Sequence, residues 1–309
     1  MQSLADRQRT ILVAGATGFI GRHLAARLDH QGHRVIGLGR GRSDPAGNIP
    51  ADRWICAQEL SDLPSIIPGL DAAVNCAVCY GRNSESWGEI VEVNAALPMR
   101  LTELCLSSGC QTFVQLDTFS WKPRTGVFVR SAYTLTKRLA WELLSDFASA
   151  QCAVSIARLE FPYGPGDRPH KFVSQLTKAL LLNEPEFKLS DGEQRRDFVW
   201  VGDVCDALIA MIMDPPTSSF REFEIGTGCP VGVREFAEVL KHCMGSTTEL
   251  RFGAVPRIPG EMSESFADVS ALARIAKVPS ISVLEGCRRL ATALREFRSN
   301  DVGGQSCES

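Results

Sequence analysis

The sequence has no long apolar run, no surplus of one charge and no internal repeat. Its apolar stretches, such as 204–213 with Asp206 inside it, fall short of the ~20 residues that cross a bilayer. Lys and Arg total 33 against 36 Asp and Glu, a net charge of −3 that creates no field to gather nucleic acid or an anionic membrane. Tyrosine and histidine are scarce, at 3 and 5 residues. His23, His30, His33, His170 and His242 fall at no metal-ligand spacing, and only His170, in a turn-rich loop, is a candidate contact. Cysteine is not scarce, but an odd 11 scattered through strand-like and helix-like segments read as reduced thiols. Cys76-x-x-Cys79 lacks a second pair or a histidine at zinc spacing and reads as packed core thiols. Residues 1–10 are polar, carry Arg7 and Arg9, and lack the apolar core of a signal peptide. These absences lead us to expect a cytoplasmic protein with no metal, no nucleic-acid partner and no membrane association.

What is present is alternation. Thr10-Ile11-Leu12-Val13-Ala14 reads as a buried strand, 19–30 as a helix closed by Gly32, and 34–38 as a second strand. Strands at 71–77, 112–116 and 153–159 alternate with helices at 87–107 and 132–148. Strands without in/out polarity, separated by helices, make a parallel sheet covered on both faces. The fold class is therefore α/β, a doubly wound parallel sheet, with a smaller, less regular C-terminal lobe after the turn-rich 161–169. The expected division of the 309 residues is a nucleotide-binding domain at 1–160 with 197–222 returning to it. Residues 161–196 and 223–298 would form the substrate lobe, and 299–309 a flexible tail.

Gly15-Ala16-Thr17-Gly18-Phe19-Ile20-Gly21 lies directly between the first strand and the first helix. Glycines so spaced allow a tight turn, close approach to a pyrophosphate and close helix–sheet packing, with the helix N-terminus facing the phosphates. An NAD site places an acidic residue at the end of the second strand, roughly 20 residues on. Here that strand runs into Gly39-Arg40-Gly41-Arg42, with no carboxylate before Asp44. Guanidinium groups pair with a 2′-phosphate, so the expected cofactor is NADP(H), held by Arg40 with Arg42 or Arg22 helping.

Tyr133 and Lys137 stand four residues apart at the start of a helix, on one face. Thr118 offers a hydroxyl at the tip of the preceding strand. The phenol, ammonium and hydroxyl form a candidate acid–base centre, in which the ammonium is expected to lower the phenol's pKa.

With these motifs the chain resembles the extended short-chain dehydrogenase/reductase family, the Rossmann-fold branch containing NAD(P)-dependent nucleotide-sugar epimerases, dehydratases and reductases. The likeness extends to Asn75-Cys76-Ala77, Val93-Asn94, 158–166, 195–204, 223–228 and 257–261. It implies that Tyr133 exchanges a proton with a sugar oxygen, that Lys137 holds the nicotinamide ribose, and that Thr118 binds the reacting oxygen. It implies cofactor contacts at Gly15, Thr17, Gly18, Phe19, Ile20, Gly21, Leu60, Cys76, Ala77 and Phe161. Arg196 and Arg257 would grip a substrate pyrophosphate, and Lys171 would contact base or phosphate. A homodimer through helices 87–107 and 132–148 is also implied.

The chain departs from the family at Phe161, where many relatives carry Asn, and in the short 120–130 stretch. Thr118 is followed by Phe119-Ser120, not Asp-Glu, so 4,6-dehydration is not expected, and no thiol stands beside Thr118 for double epimerisation. Loop 163–172 and the run 192–198 look most like those of reductases that finish deoxyhexoses, the CDP-3,6-dideoxyhexose synthases. The expected reaction is NADPH-dependent reduction of the C4 ketone of a nucleotide-linked 4-keto-6-deoxysugar. A nucleotide-sugar 4-epimerase, a reductase of a non-nucleotide carbonyl and a non-catalytic NADP-sensing protein are the alternatives.

Overall fold

Seven segments, most of them rich in small and β-branched apolar residues, pair in parallel into one sheet. They are β1 (Thr10–Ala14), β2 (Arg34–Gly39), β3 (Trp54–Cys56), β4 (Ala72–Asn75), β5 (Thr112–Thr118), β6 (Ala153–Leu159) and β7 (Phe220–Ile225). Their order is β7-β6-β5-β4-β1-β2-β3 in a computed structural model that describes residues 7–57, 67–122, 127–149, 151–214, 217–257 and 260–303. Every residue of β5 and β6 is buried, as a sheet covered on both faces requires. One face packs Leu12, Ile36, Phe113 and Val154 against Leu101, Leu104 and Leu144 of the helices, each side chain stabilising the fold by about 1.5–3 kcal/mol. The strand order reverses between β1 and β4, and at such a switch point doubly wound sheets bind ligands beyond the strands' carboxyl ends.

Three helices serve the site in this unit. Helix α1 (Phe19–His30) follows β1 directly, and its N-cap Gly18 supplies no side-chain hydrogen bond. The expected helix 87–107 is three pieces. Trp87–Val91 starts at a capping box between Ser86 and Glu89, Glu92–Ala96 widens into a π-turn, and α2 (Leu97–Ser107) completes it. Helix α3 (Ala132–Phe147) starts at Ser131, whose hydroxyl accepts from the Thr134 N–H at 3.1 Å. The unit comprises Met1–Leu159, Val204–Ile225 and Asp268–Val278.

The second unit comprises Glu160–Asp203, Gly226–Ala267 and Pro279–Ser309. Its strands are two or three residues long, for example Phe161–Tyr163 beside Phe198–Trp200, which accounts for the weak pattern of its sequence. Helices Phe172–Leu182, Val233–Met244 and Val283–Gly303 surround an aromatic core in which Phe198 and Phe236 stack at 3.9 Å beside buried Tyr163.

The division differs from the expected one at several boundaries: Glu160 falls in the second unit, and residues 223–225, expected in the substrate lobe, complete β7 in the first. Residues 197–203 fall in the second unit, because the buried Asp197 carboxylate accepts from the N–H groups of Thr227, Gly228 and Ala267 at 2.8, 2.9 and 3.1 Å. Residues 268–278 fall in the first, where the Asp268 N–H donates to the Glu224 carboxylate at 2.9 Å. The expected tail is helical through Gly303, and 304–309 lie outside the described residues.

Candidate active site

The turn after β1 is shaped for close approach. Gly15 has φ +73°, and a Cβ there would sit 2.7 Å from the Ala77 nitrogen. A Cβ on Gly21 would meet the Gly15 carbonyl oxygen at 2.2 Å, so α1 and the turn are in contact only because neither residue has a side chain. Thr17 is exposed, Phe19 and Ile20 are partly buried, and the α1 N-terminus has neither a capping side chain nor an acidic first-turn residue. Its N–H groups and dipole suit a dinucleotide pyrophosphate, so the residues present fit such a cofactor. The Cys76 N–H donates to the Ala14 carbonyl at 2.9 Å and the Ala77 N–H to the Asn75 carboxamide at 3.0 Å, which brings 76–77 beside the glycine turn. Burial pushes the Cys76 thiol far above its usual range, so it is neutral. Cys79 is buried, and the ten described cysteines are all free thiols. Leu60 lies outside the described residues.

Beyond β2, Arg40 and Arg42 are exposed, and the Arg22 N–H continues α1 by donating to the Gly18 carbonyl at 3.0 Å. The Asp44 carboxylate accepts from the N–H groups of Ala46, Asn48 and Ile49 at 3.0, 2.9 and 3.1 Å. The next acid along the chain is therefore occupied by its own turn.

At the tip of β5 the Thr118 hydroxyl donates to the Ser120 hydroxyl at 3.1 Å and lies near enough to the Tyr133 phenol to favour its ionised form. The Tyr80 ring packs against Tyr133 with centroids 4.9 Å apart and planes tilted by 43°, and the Arg82 guanidinium lies 5.5 Å from the Tyr80 centroid. Lys137 is buried, and its Nζ donates to the Leu116 carbonyl at 2.8 Å. Burial holds the ammonium down at about 8, although Asp117 and Cys76 favour its charge. The expected lowering of the phenol by this lysine is not found. Burial, with Tyr80 and Asp117 adding to it, holds Tyr133 well above its ordinary value, against the opposing effects of Thr118 and Arg82. The phenol is thus a protonated acid.

Two supports lie in segments that carry the family likeness, but the sequence reading gave them no contacts. Asn94, fully buried in the π-turn, accepts from the Cys79 N–H at 2.9 Å and donates to the Cys79 carbonyl at 2.7 Å and the Thr136 hydroxyl at 3.0 Å. It ties the loop after β4 to the residue before Lys137. Beneath α3, Arg158 of β6 bridges Asp117 at 3.0 Å and Glu222 at 3.2 Å, and the Trp121 and Trp141 indoles donate to those two carboxylates. Charges inside an otherwise apolar sheet are retained only when paired in this way.

In the second unit Arg196 is buried, with Nη2 2.9 Å from the Glu261 carboxylate and its guanidinium 5.6 Å from the Phe161 ring centroid. Arg257 is exposed, donates to Asp191 at 2.9 Å, and is near enough to Arg196 to disfavour its charge. Lys171 caps helix Phe172–Leu182, and His170 is partly buried. Among the described residues no group of three His, Cys, Asp or Glu is arranged to hold a metal, and no helix is long and apolar enough to cross a membrane.

A model of the NAD dependent epimerase/dehydratase family matches residues 11–226, which span the glycine turn, Thr118, Tyr133 and Lys137. The chain belongs to this family. It is an enzyme family of the extended short-chain dehydrogenase/reductase type, and the seven-stranded sheet is its Rossmann fold. This member is 28% identical over 290 residues to the CDP-abequose synthase of Salmonella muenchen, covering 93% of this chain and 98% of that one. It is 30% identical over 291 residues to an uncharacterized UDP-glucose epimerase, YtcB, of Bacillus subtilis (strain 168), with 84% and 89% covered. Among solved structures it resembles MoeE5 in complex with UDP-glucuronic acid and NAD at a TM-score of 0.79 and 27% identity, covering 93% of this chain and 99% of MoeE5.

Proposed function

We propose that the protein reduces the C4 ketone of a nucleotide-linked 4-keto-6-deoxysugar with NADPH. The observation that carries this reading is the end of β2, where two exposed arginines stand and the next carboxylate along the chain, Asp44, is taken up by backbone N–H groups. A 2′-phosphate is favoured there over a free 2′-hydroxyl, and NADPH serves an enzyme that exchanges its cofactor at every turnover. When bound, NADPH supplies a hydride. Tyr133, held protonated, gives its proton to the sugar oxygen and recovers one from solvent, Thr118 binds that oxygen, and Lys137 holds the nicotinamide ribose. Arg196 and Arg257 bind the substrate diphosphate, with Lys171 assisting. The likeness to CDP-abequose synthase supports a deoxysugar substrate. We further propose a cytoplasmic homodimer through the exposed Leu135, Leu139 and Leu143 of α3 together with Trp87.

The test is NADPH absorbance with a panel of CDP-, dTDP-, GDP- and UDP-linked 4-keto-6-deoxysugars. Stoichiometric consumption with one nucleotide class is expected. Binding of NADPH without consumption, and isomerised nucleotide sugar as product, would replace this reading by 4-epimerisation. That second reading has the UDP-glucose epimerase likeness in its favour, because the same three side chains serve both reactions.

A further inference from the structure

The two arginines after β2 hang on a short turn, and a buried aromatic residue holds that turn. Trp54 opens β3, opposite Gly37 of β2. Its indole lies along the strand over two glycines: a Cβ on Gly37 would land 2.7 Å from the ring, and one on Gly39 would land 2.4 Å from it. Gly37 and Gly39 have ordinary φ values, so the turn's backbone does not demand glycine there; the ring does. The far edge of the indole then reaches past the strand end, where Nε1 donates to the Gly41 carbonyl at 2.8 Å. Gly41 is the residue between Arg40 and Arg42. The Cys56 thiol, two residues beyond Trp54, donates to the Arg40 carbonyl at 3.5 Å. Consecutive carbonyls of the turn are thus anchored to β3, while both guanidinium side chains remain exposed.

We infer that Trp54 is the specificity-determining residue of the cofactor site: it positions the Gly39–Arg42 turn so that Arg40 and Arg42 meet a 2′-phosphate. It is a positioning residue, acting through the backbone of the turn. The inference rests on the NADP(H) reading and adds to it a claim about how phosphate selectivity is built. A long exposed arginine on an unanchored turn loses rotamer and backbone freedom when it binds an anion, and a turn already fixed by a buried ring has surrendered that freedom beforehand. The pyrophosphate cradle at Gly15–Gly21 does not depend on the Gly41 carbonyl. Loss of the anchor should therefore weaken NADPH and leave NADH nearly untouched.

The experiment is calorimetric titration of the full-length protein with NADPH and with NADH, without substrate, for wild type, Trp54→Phe, Gly39→Ala and Arg40→Ala. Trp54→Phe keeps an apolar ring and removes the donor together with the part of the indole that lies over Gly39. One lost hydrogen bond corresponds to roughly a three- to tenfold weaker Kd for NADPH, with NADH within about twofold. Gly39→Ala displaces the ring from the other side and should give the same selectivity loss without touching the tryptophan. In an Arg40→Ala background, Trp54→Phe should add little, because the two act through one contact. If wild type prefers NADPH and the Trp54 and Gly39 variants weaken both nucleotides equally, or neither, the inference is overturned and the cofactor reading stands. If wild type shows no preference for NADPH, the cofactor reading falls and the inference falls with it.

Discussion

Replacing Lys137 with methionine should make the protein more stable while removing its chemistry. Lys137 is only 4% exposed, and burial depresses its ammonium from an ordinary 10.5 to about 8. At about 1.36 kcal/mol per pH unit this is roughly 3 kcal/mol by which the fold disfavours the charge. Below pH 8 the lysine is charged in both folded and unfolded chains, so the whole cost is borne at neutral pH. Between pH 8 and 10.5 the unfolded chain binds more protons than the folded one, so stability from this group rises with pH. Methionine fills the space of the stem without a charge. The Leu116 carbonyl that loses the ammonium keeps the Gln115 amide, which donates to it at 2.7 Å, so no acceptor is stranded. We expect Lys137→Met to gain about 2 kcal/mol at pH 7 in urea unfolding, the roughly 3 kcal/mol of relieved charge burial less the lost hydrogen bond to Leu116, and to fall about 1 kcal/mol below wild type by pH 10.5. Taking the difference between the two curves removes the opposing contribution of Tyr133, which both chains share. A variant less stable than wild type at pH 7, or a difference that does not change across that window, would refute the argument.

Three further outcomes follow from the geometry. Tyr133→Phe should lower turnover by about a hundred- to ten-thousandfold and leave NADPH affinity within about twofold, as measured by steady-state kinetics and titration. Asp197→Ala strands three backbone N–H groups and the Thr227 hydroxyl, which donates to it at 2.6 Å, and should cost about 4 kcal/mol or more in urea unfolding. Asn94→Ala frees the Cys79 backbone and the Thr136 hydroxyl, and should lower both the thermal midpoint, by a loss of about 2 kcal/mol, and kcat more than KM.

The sheet was legible because burial on both faces leaves a plain mark, an unbroken apolar run such as Ile11 to Ala14 ended by a glycine turn. β3 and β7 were not: the three residues of β3 carry no period and its role is set by two glycines on a neighbouring strand, and β7 mixes three charged residues into its run. Tyr133, Lys137 and Thr118 were legible by spacing and placement, yet the sign of the phenol's shift was not. That sign depends on how much solvent is removed and on Tyr80 and Asp117, which chain distance hides. A signal for the buried charge network did exist: Asp117 and Arg158 are charges inside otherwise apolar strands, and such residues need a partner. With only 3 tyrosines in the chain, the packing of two of them ring to ring at the site was a further clue left unread.

The widened turn at Glu92–Ala96 has a consequence for anyone who would regularise this enzyme. An α-helix advances 100° per residue, so deleting one residue to restore ideal winding would rotate the whole Trp87–Val91 segment by that angle about its axis. The Ser86–Glu89 start, the buried Ile90 and the carboxamide of Asn94 would all face elsewhere, and the loop carrying Cys79 and Tyr80 would lose its tether. The irregular helix is therefore a fixed phase offset between two straight rods. A redesign that improves the local winding would detune the distance between that loop and the helix bearing Tyr133.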